Sequence, residues 1–242
     1  MGRDGRRSQT RGLGLAGATR SAAEDMKQIR FYLDFISPYA CLAFEKLPEA
    51  LMGHSYSVEY RPVLFAAMLQ HGGQLGPAEI AGKRDWTYRQ ALWLAQRNGV
   101  ELQMPASHPF NPLPLLRLAV ATQADGAANR YVCEILLRHV WRGGADAVDP
   151  LRLAAVRARL APAQDPDSDV VKARLKANTD AAIAQGVFGV PCVVVDDKLF
   201  WGFDALPMLR AYLDGDPWFD TPAWTQAASV PSAVSRKRIE KH

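Results

Sequence analysis

A chain of 242 residues, 48% hydrophobic and 22% charged, is long enough to bury a large core, and no apolar run approaches the roughly 20 residues of a membrane-spanning helix, which excludes a membrane partner. The formal charge of +4 lies in the tails: five Arg and one Asp in residues 1–20 give +4, and Arg236, Lys237, Arg238 and Lys241 against Glu240 give +3, so the body carries about −3 and offers no electrostatic basis for binding nucleic acid. Cys41, Cys133 and Cys192 lie far apart in no CxxC or Cys/His spacing, which argues against a metal site or a disulfide framework and suits a reducing, cytoplasmic compartment.

Residues 1–25, rich in Gly, Arg, Ser and Ala, lack an apolar segment of secretory-signal length and read as a disordered extension, with an Arg-rich mitochondrial leader as the other reading. Met26 stands directly before the first strand. That strand, Gln28 to Phe35, has aromatic and β-branched residues at both parities, the mark of a strand covered on both faces. A helix from about Pro38 to Met52 follows, with Ser37 as N-cap and Pro38 at its first position. Tyr56 to Pro62 is a second strand, stopped by its proline, and the βαβ order favours a parallel pair with a right-handed crossover.

From Val63 to about Gly186 the apolar period is helical throughout, punctuated by Gly72-Gly73, Asn98-Gly99, Asp125-Gly126 and Gly143-Gly144. The strand signal returns at Pro191 to Asp196, turns at Asp196-Asp197 and continues through Lys198 to Trp201. A helix over Asp204 to Asp214 closes the series. The order βαβ, helices, ββα is an α/β, thioredoxin-like fold with an all-helical insertion domain. The expected divisions are 1–25 as extension, 26–62 with 187–218 as the thioredoxin-like unit, 63–186 as the insertion and 219–242 as a flexible tail.

In that layout the reactive position lies where the first strand meets the first helix, here Ser37-Pro38-Tyr39-Ala40, with no cysteine placed to form a dithiol. A helix N-terminus stabilises an anion such as a thiolate through its dipole and free N–H groups. The thiol would therefore come from outside the chain.

Phe31 to Cys41, Gly186 to Pro191 and Trp201-Gly202-Phe203-Asp204, in that order, resemble the 2-hydroxychromene-2-carboxylate isomerases and kappa-class glutathione transferases, relatives of the disulfide oxidoreductase DsbA. The resemblance runs from about Met26 to Trp218. It implies glutathione as cofactor, with Ser37 holding its sulfur, where the plain alternative is an N-cap. Val190-Pro191 would be a cis turn pairing with the cysteinyl part, and Phe203 with Asp204 would meet the γ-glutamyl end, Asp204 alternatively being a helix cap. Relatives commonly have Arg where Ala205 stands here.

Arg61-Pro62-Val63-Leu64-Phe65 resembles the family segment after the second strand, and Gln74 falls where relatives often carry Asn. Lys83 and Trp86 match a lysine and an aromatic that would meet the carboxylate and ring of the substrate, although Lys83 also suits a solvated helix face. Asn111 is a helix cap or a site residue, and Asn178 a further glutathione contact. His108 reads as a structural histidine in a proline-rich loop or as a general base. Cys192 lies beside the bound thiol or points into the sheet.

The implied reaction interconverts 2-hydroxychromene-2-carboxylate and trans-o-hydroxybenzylidenepyruvate in aromatic (naphthalene) catabolism through a glutathione thiolate adduct, in a homodimer acting on a small aromatic carboxylate. A kappa-like transferase, a disulfide oxidoreductase and a non-catalytic glutathione-binding protein are the alternatives.

Overall fold

In the computed structural model, which describes Met1 and residues 26–233, the chain opens with β1 (Lys27–Leu33), α1 (Pro38–Ala50) and β2 (Tyr56–Pro62). The readings for 2–25 and for the chain beyond 233 fall outside the described residues. β1 and β2 run parallel, from Lys27 opposite Tyr56 to Leu33 opposite Pro62. Six helices follow: α2 (Phe65–Gly72), α3 (Ala81–Arg97), α4 (Leu113–Ala121), α5 (Arg130–Trp141), α6 (Pro150–Leu160) and α7 (Asp169–Ala184). The hairpin of β3 (Cys192–Val195) and β4 (Lys198–Trp201) then completes a sheet of order β2-β1-β3-β4, both new pairs antiparallel. α8 (Leu206–Leu213) and α9 (Pro222–Ala227) end the described chain.

Local chemistry explains these boundaries. Asn129 and Asp149 accept from the N–H groups of Val132 and Arg152, both at 2.9 Å, and so start α5 and α6. Asp196 and Asp197 have φ of 48° and 66°, the left-handed pair that a two-residue type I′ hairpin turn requires. Pro48 lies inside α1 and has no N–H to give the carbonyl of Phe44; Arg130 at the start of α5 donates to it instead at 3.3 Å and stacks on the Phe44 ring.

The sheet is covered on both faces, as the mixed parity of β1 requires. Phe31, Leu33, Phe35 and Phe44 share one core with Leu115, Leu116, Leu136 and Trp141, and the helical block packs on the βαβ unit through α5 against α1 and α4 against β2. Tyr32 faces the other way, with Met68, Ala182, Val190, Cys192 and Val194.

Within the segment expected as a tail, the described chain forms a short turn over Pro217–Asp220 and then α9 as far as Ala227. Phe219 is buried, its ring 5.2 Å from Tyr212 and 6.1 Å from Phe200, and Trp224 of α9 packs on it at 5.3 Å. Burial of Phe219, with the rings of Trp218 and Trp224 packed on it, overrides the polar composition of the segment.

Candidate functional site

The first strand ends in a four-residue turn that sets the floor of a cavity of about 780 Å³. The Ser37 N–H donates to the Asp34 carbonyl at 3.1 Å, and the Ser37 hydroxyl oxygen accepts from the Ala40 N–H at 3.2 Å. Ser37 is thus the N-cap of α1, and its hydroxyl hydrogen remains available to the cavity it lines. Pro38 has no N–H, and that of Tyr39 has no backbone partner among the described residues, so a free donor accompanies the hydroxyl.

Asp34 also lines the cavity and is fully buried. Its carboxyl oxygens accept from the N–H of Ile36 at 3.1 Å and of Phe65 at 3.0 Å, which ties the turn to the start of α2. Burial pushes its carboxyl up to about 7, against the opposing pull of those N–H groups.

The Val190-Pro191 bond is cis, and Val190 lines the cavity opposite this floor, its N–H and C=O without backbone partners among the described residues. Trp201, half exposed, stands beside it and packs on Phe188 with ring centroids 4.9 Å apart. Gly189 makes room for that indole, since a Cβ there would come within 2.8 Å of Trp201 Nε1.

α3 forms the outer wall with Lys83, Trp86 and Thr87. Arg84 pairs with Asp85 and the Glu79 carboxylate turns back to the Gly76 N–H at 2.7 Å, whereas Lys83 has no ion-pair partner among the described residues. The loop before α4 adds His108 and Phe110. His108 has both ring nitrogens engaged, Nε2 with the Ile36 carbonyl at 2.8 Å and Nδ1 with the Tyr88 hydroxyl at 2.7 Å, and burial holds its pKa below the usual value. Both ring nitrogens are thus occupied by the fold, as the structural reading of His108 expects.

Ser37, Val190, Lys83 and Trp86 are thus brought to one cavity, while other expected site residues lie elsewhere. Asn178 is engaged by the fold: its Nδ2 donates to the carbonyls of Pro62 at 3.2 Å and Gly126 at 2.9 Å while Oδ1 accepts from Arg61 at 3.3 Å, so the buried amide joins α7 to β2. Asn111 caps α4, accepting from the Leu113 N–H at 3.1 Å, and Gln74 sits exposed on the loop after α2; neither lines the cavity. Pro191 is held by its neighbour strand, its carbonyl accepting from the Gly202 N–H at 2.9 Å.

Phe203 and Asp204 open instead onto a second cleft of about 430 Å³, shared with Lys46, Asn98 and Arg210. Asp204 is no helix cap, because the turn at Phe203–Ala205 starts from Gly202 without a side-chain bond. Tyr39 relates the two hollows. Its phenol lines the main cavity, and its pKa is raised by burial and, further, by the Asp204 charge, with a Thr87 hydrogen bond opposing.

No cysteine lines the cavity. Cys192 points into the sheet's second core rather than the site. Burial pushes its thiol and that of Cys41 up to about 12, and that of Cys133 upward too, so all three are poor nucleophiles. Sequence reading gave no individual role to Asp34, Tyr39, Phe65, Phe110 or Trp201 in the cavity, although Tyr39, Phe65 and Trp201 lie in segments it singled out.

Residues 28–214 match the model of the DSBA-like thioredoxin domain family. A 2-hydroxychromene-2-carboxylate isomerase of Sphingobium xenophagum is 31% identical over 195 residues, covering 77% of this chain and 98% of its own. Glutathione S-transferase kappa 1 of Rattus norvegicus is 27% identical over 210 residues, covering 78% of this chain and 92% of its own. A solved structure of a 2-hydroxychromene-2-carboxylate isomerase superposes with a TM-score of 0.66 at 23% identity, over 85% of this chain and 100% of that one, and shows the same fold. The cysteine-free turn before α1, the cis proline facing it and these matches together place the chain in the DsbA-like thioredoxin-domain family, within the group that holds 2-hydroxychromene-2-carboxylate isomerases and kappa-class glutathione transferases.

Proposed function

We propose that this chain is a glutathione-dependent isomerase that interconverts 2-hydroxychromene-2-carboxylate and trans-o-hydroxybenzylidenepyruvate. The observation that carries the reading is a cavity whose floor is a serine hydroxyl at a helix N-terminus and whose walls hold no cysteine of the chain. Such a floor suits an external thiol. The N–H and C=O of Val190, without backbone partners among the described residues, suit the peptide part of a cysteine-containing tripeptide, which would pair there as an added strand does.

Bound glutathione would supply the sulfur nucleophile. Ser37 would donate a hydrogen bond to that sulfur, and the Tyr39 N–H and the dipole of the 13-residue α1 would favour its anionic form. Phe203 and Asp204 would receive the γ-glutamyl end in the neighbouring cleft. Lys83 would orient the substrate carboxylate, with Trp86 and Phe110 as apolar walls for its ring.

Titration of glutathione into wild type and Ser37→Ala, with ultraviolet absorbance of the bound thiolate, tests this reading. Wild type should bind and show a thiolate band that Ser37→Ala loses, and should convert the chromene carboxylate without consuming glutathione. Absence of binding to wild type would sink the proposal. The kappa-class relatives favour a second reading, transfer of glutathione to an electrophile. Stoichiometric loss of glutathione on a chloronitroaromatic substrate would select it. We further propose a homodimer, which light scattering would reveal as twice the 26.6 kDa of one chain.

A further inference from the structure

The peptide groups leading into Ser37 are held from outside the turn as well as from within it. Asp34 takes the Ile36 N–H on its side chain and the Ser37 N–H on its carbonyl, both at 3.1 Å. The carbonyls of Phe35 and Ile36 are held by the helical insertion. Trp141 Nε1 on α5 donates to Phe35 at 3.0 Å, and His108 Nε2 lies 2.8 Å from the Ile36 carbonyl, the two rings 5.6 Å apart.

A carbonyl accepts only, so His108 carries its proton on Nε2. Its ring is neutral, because burial disfavours the imidazolium, and Nδ1 therefore presents a lone pair to the Tyr88 hydroxyl at 2.7 Å. That hydroxyl also donates to the His108 carbonyl at 2.9 Å, so its one proton is shared between Nδ1 and the carbonyl of the same residue. Tyr88 sits on α3, the helix whose Lys83, Trp86 and Thr87 wall the cavity.

We propose that His108 is a positioning residue: anchored by Tyr88, it donates to the Ile36 carbonyl and fixes the peptide that carries Ser37 relative to the wall formed by Lys83 and Trp86. The hydroxyl that meets the thiol and the helix that meets the second substrate are thereby held in one frame. Its catalytic consequence rests on the glutathione reading above; the geometric claim does not.

The test uses the full chain as wild type, His108→Phe, His108→Gln and Tyr88→Phe, with two readouts. Amide hydrogen exchange over residues 35–42, measured without ligand, reports the frame. The pH midpoint of the bound glutathione thiolate absorbance reports its effect on the thiol. In His108→Phe the amides around Ser37 should exchange about tenfold faster and the thiol midpoint should rise by about one unit. His108→Gln, whose side-chain amide supplies an N–H, should recover at least half of both changes.

Exchange and midpoint in His108→Phe equal to wild type would overturn the proposal, as would His108→Gln behaving like His108→Phe. If His108→Phe fails to fold, Tyr88→Phe decides: about threefold faster exchange at Ser37 is expected on loss of the anchor, and unchanged exchange refutes it. If wild type does not bind glutathione, the isomerase reading falls while the exchange comparison still decides the positioning role.

Discussion

Asp34 should make the folded chain lose stability as pH rises, which runs against the usual behaviour of surface carboxylates. Its side chain is fully buried, and its carboxyl rises from 3.8 to about 7 because burial penalises the charge more than the N–H groups of Phe65, Ile36 and Phe35 favour it. The folded state therefore binds a proton that the unfolded state has released anywhere between those values. The stabilisation is fully present below 3.8 and is lost as pH climbs through about 7. At about 1.36 kcal/mol per unit, the interval corresponds to about 4 kcal/mol, a large part of the roughly 5–15 kcal/mol that holds a domain folded. Urea midpoints of wild type and Asp34→Asn at half-unit steps from pH 4.5 to 8 would measure it. The variant cannot ionise, and its amide cannot accept from both N–H groups, so it starts about 1–3 kcal/mol lower whatever the pH. The informative quantity is the slope of the difference between the two proteins, expected near −1.36 kcal/mol per unit up to pH 7. Parallel profiles, or a difference that grows in favour of wild type with pH, would show that the N–H groups of Ile36 and Phe65 keep Asp34 ionised and would refute the reasoning.

Asn178→Ala removes bonds to Pro62 and Gly126 in a buried setting and should cost about 2 kcal/mol, read by urea unfolding, while glutathione affinity stays within about twofold. A tenfold affinity loss at unchanged stability would return that amide to the site. Cys41 and Cys192, with thiols pushed up to about 12, should present about three orders of magnitude less thiolate at pH 8 than free cysteine, so a disulfide reagent should label them only after unfolding. Rapid labelling of the folded protein would contradict their burial. Gly202 has φ of 98°, and a Cβ there would stand 2.4 Å from an Asp204 carboxyl oxygen, so Gly202→Ala should lose about 1–3 kcal/mol by thermal unfolding and displace Asp204 from its cleft. An unchanged melting temperature would count against that strain.

The elements were legible wherever a local signal sufficed. Ser37-Pro38 announces a capped helix with its proline at the first position, and Tyr56 to Pro62 reads as a strand with the limits it has in the fold. Both faces of β1 are apolar because both are covered. The aromatic closure at Phe219 was not legible, since tryptophans and a phenylalanine spaced among prolines and polar residues carry no helical or strand period. Asn178 and Asn111 show a different limit. An asparagine in a family-like segment looks the same in sequence whether it faces a ligand or satisfies backbone groups, and the bonds of Asn178 to the carbonyls of Pro62 and Gly126 appear only in the fold.

The same limit explains why Ser37 was visible and its supports were not. A serine before a proline at a strand end is a contiguous pattern, but the contacts that fix it come from residues separated by 72 positions for His108 and Ile36 and by 106 for Trp141 and Phe35. No periodicity records such contacts, because each is a single bond from the helical block to one carbonyl of the turn. The insertion thus has two duties that composition cannot separate. α3 and the loop before α4 wall the cavity, while Trp141 and His108 hold the carbonyls of the turn that carries Ser37. Changes at Lys83 or Trp86 should therefore alter which substrate enters, and changes at His108 or Trp141 should alter how well Ser37 meets a thiol from outside the chain.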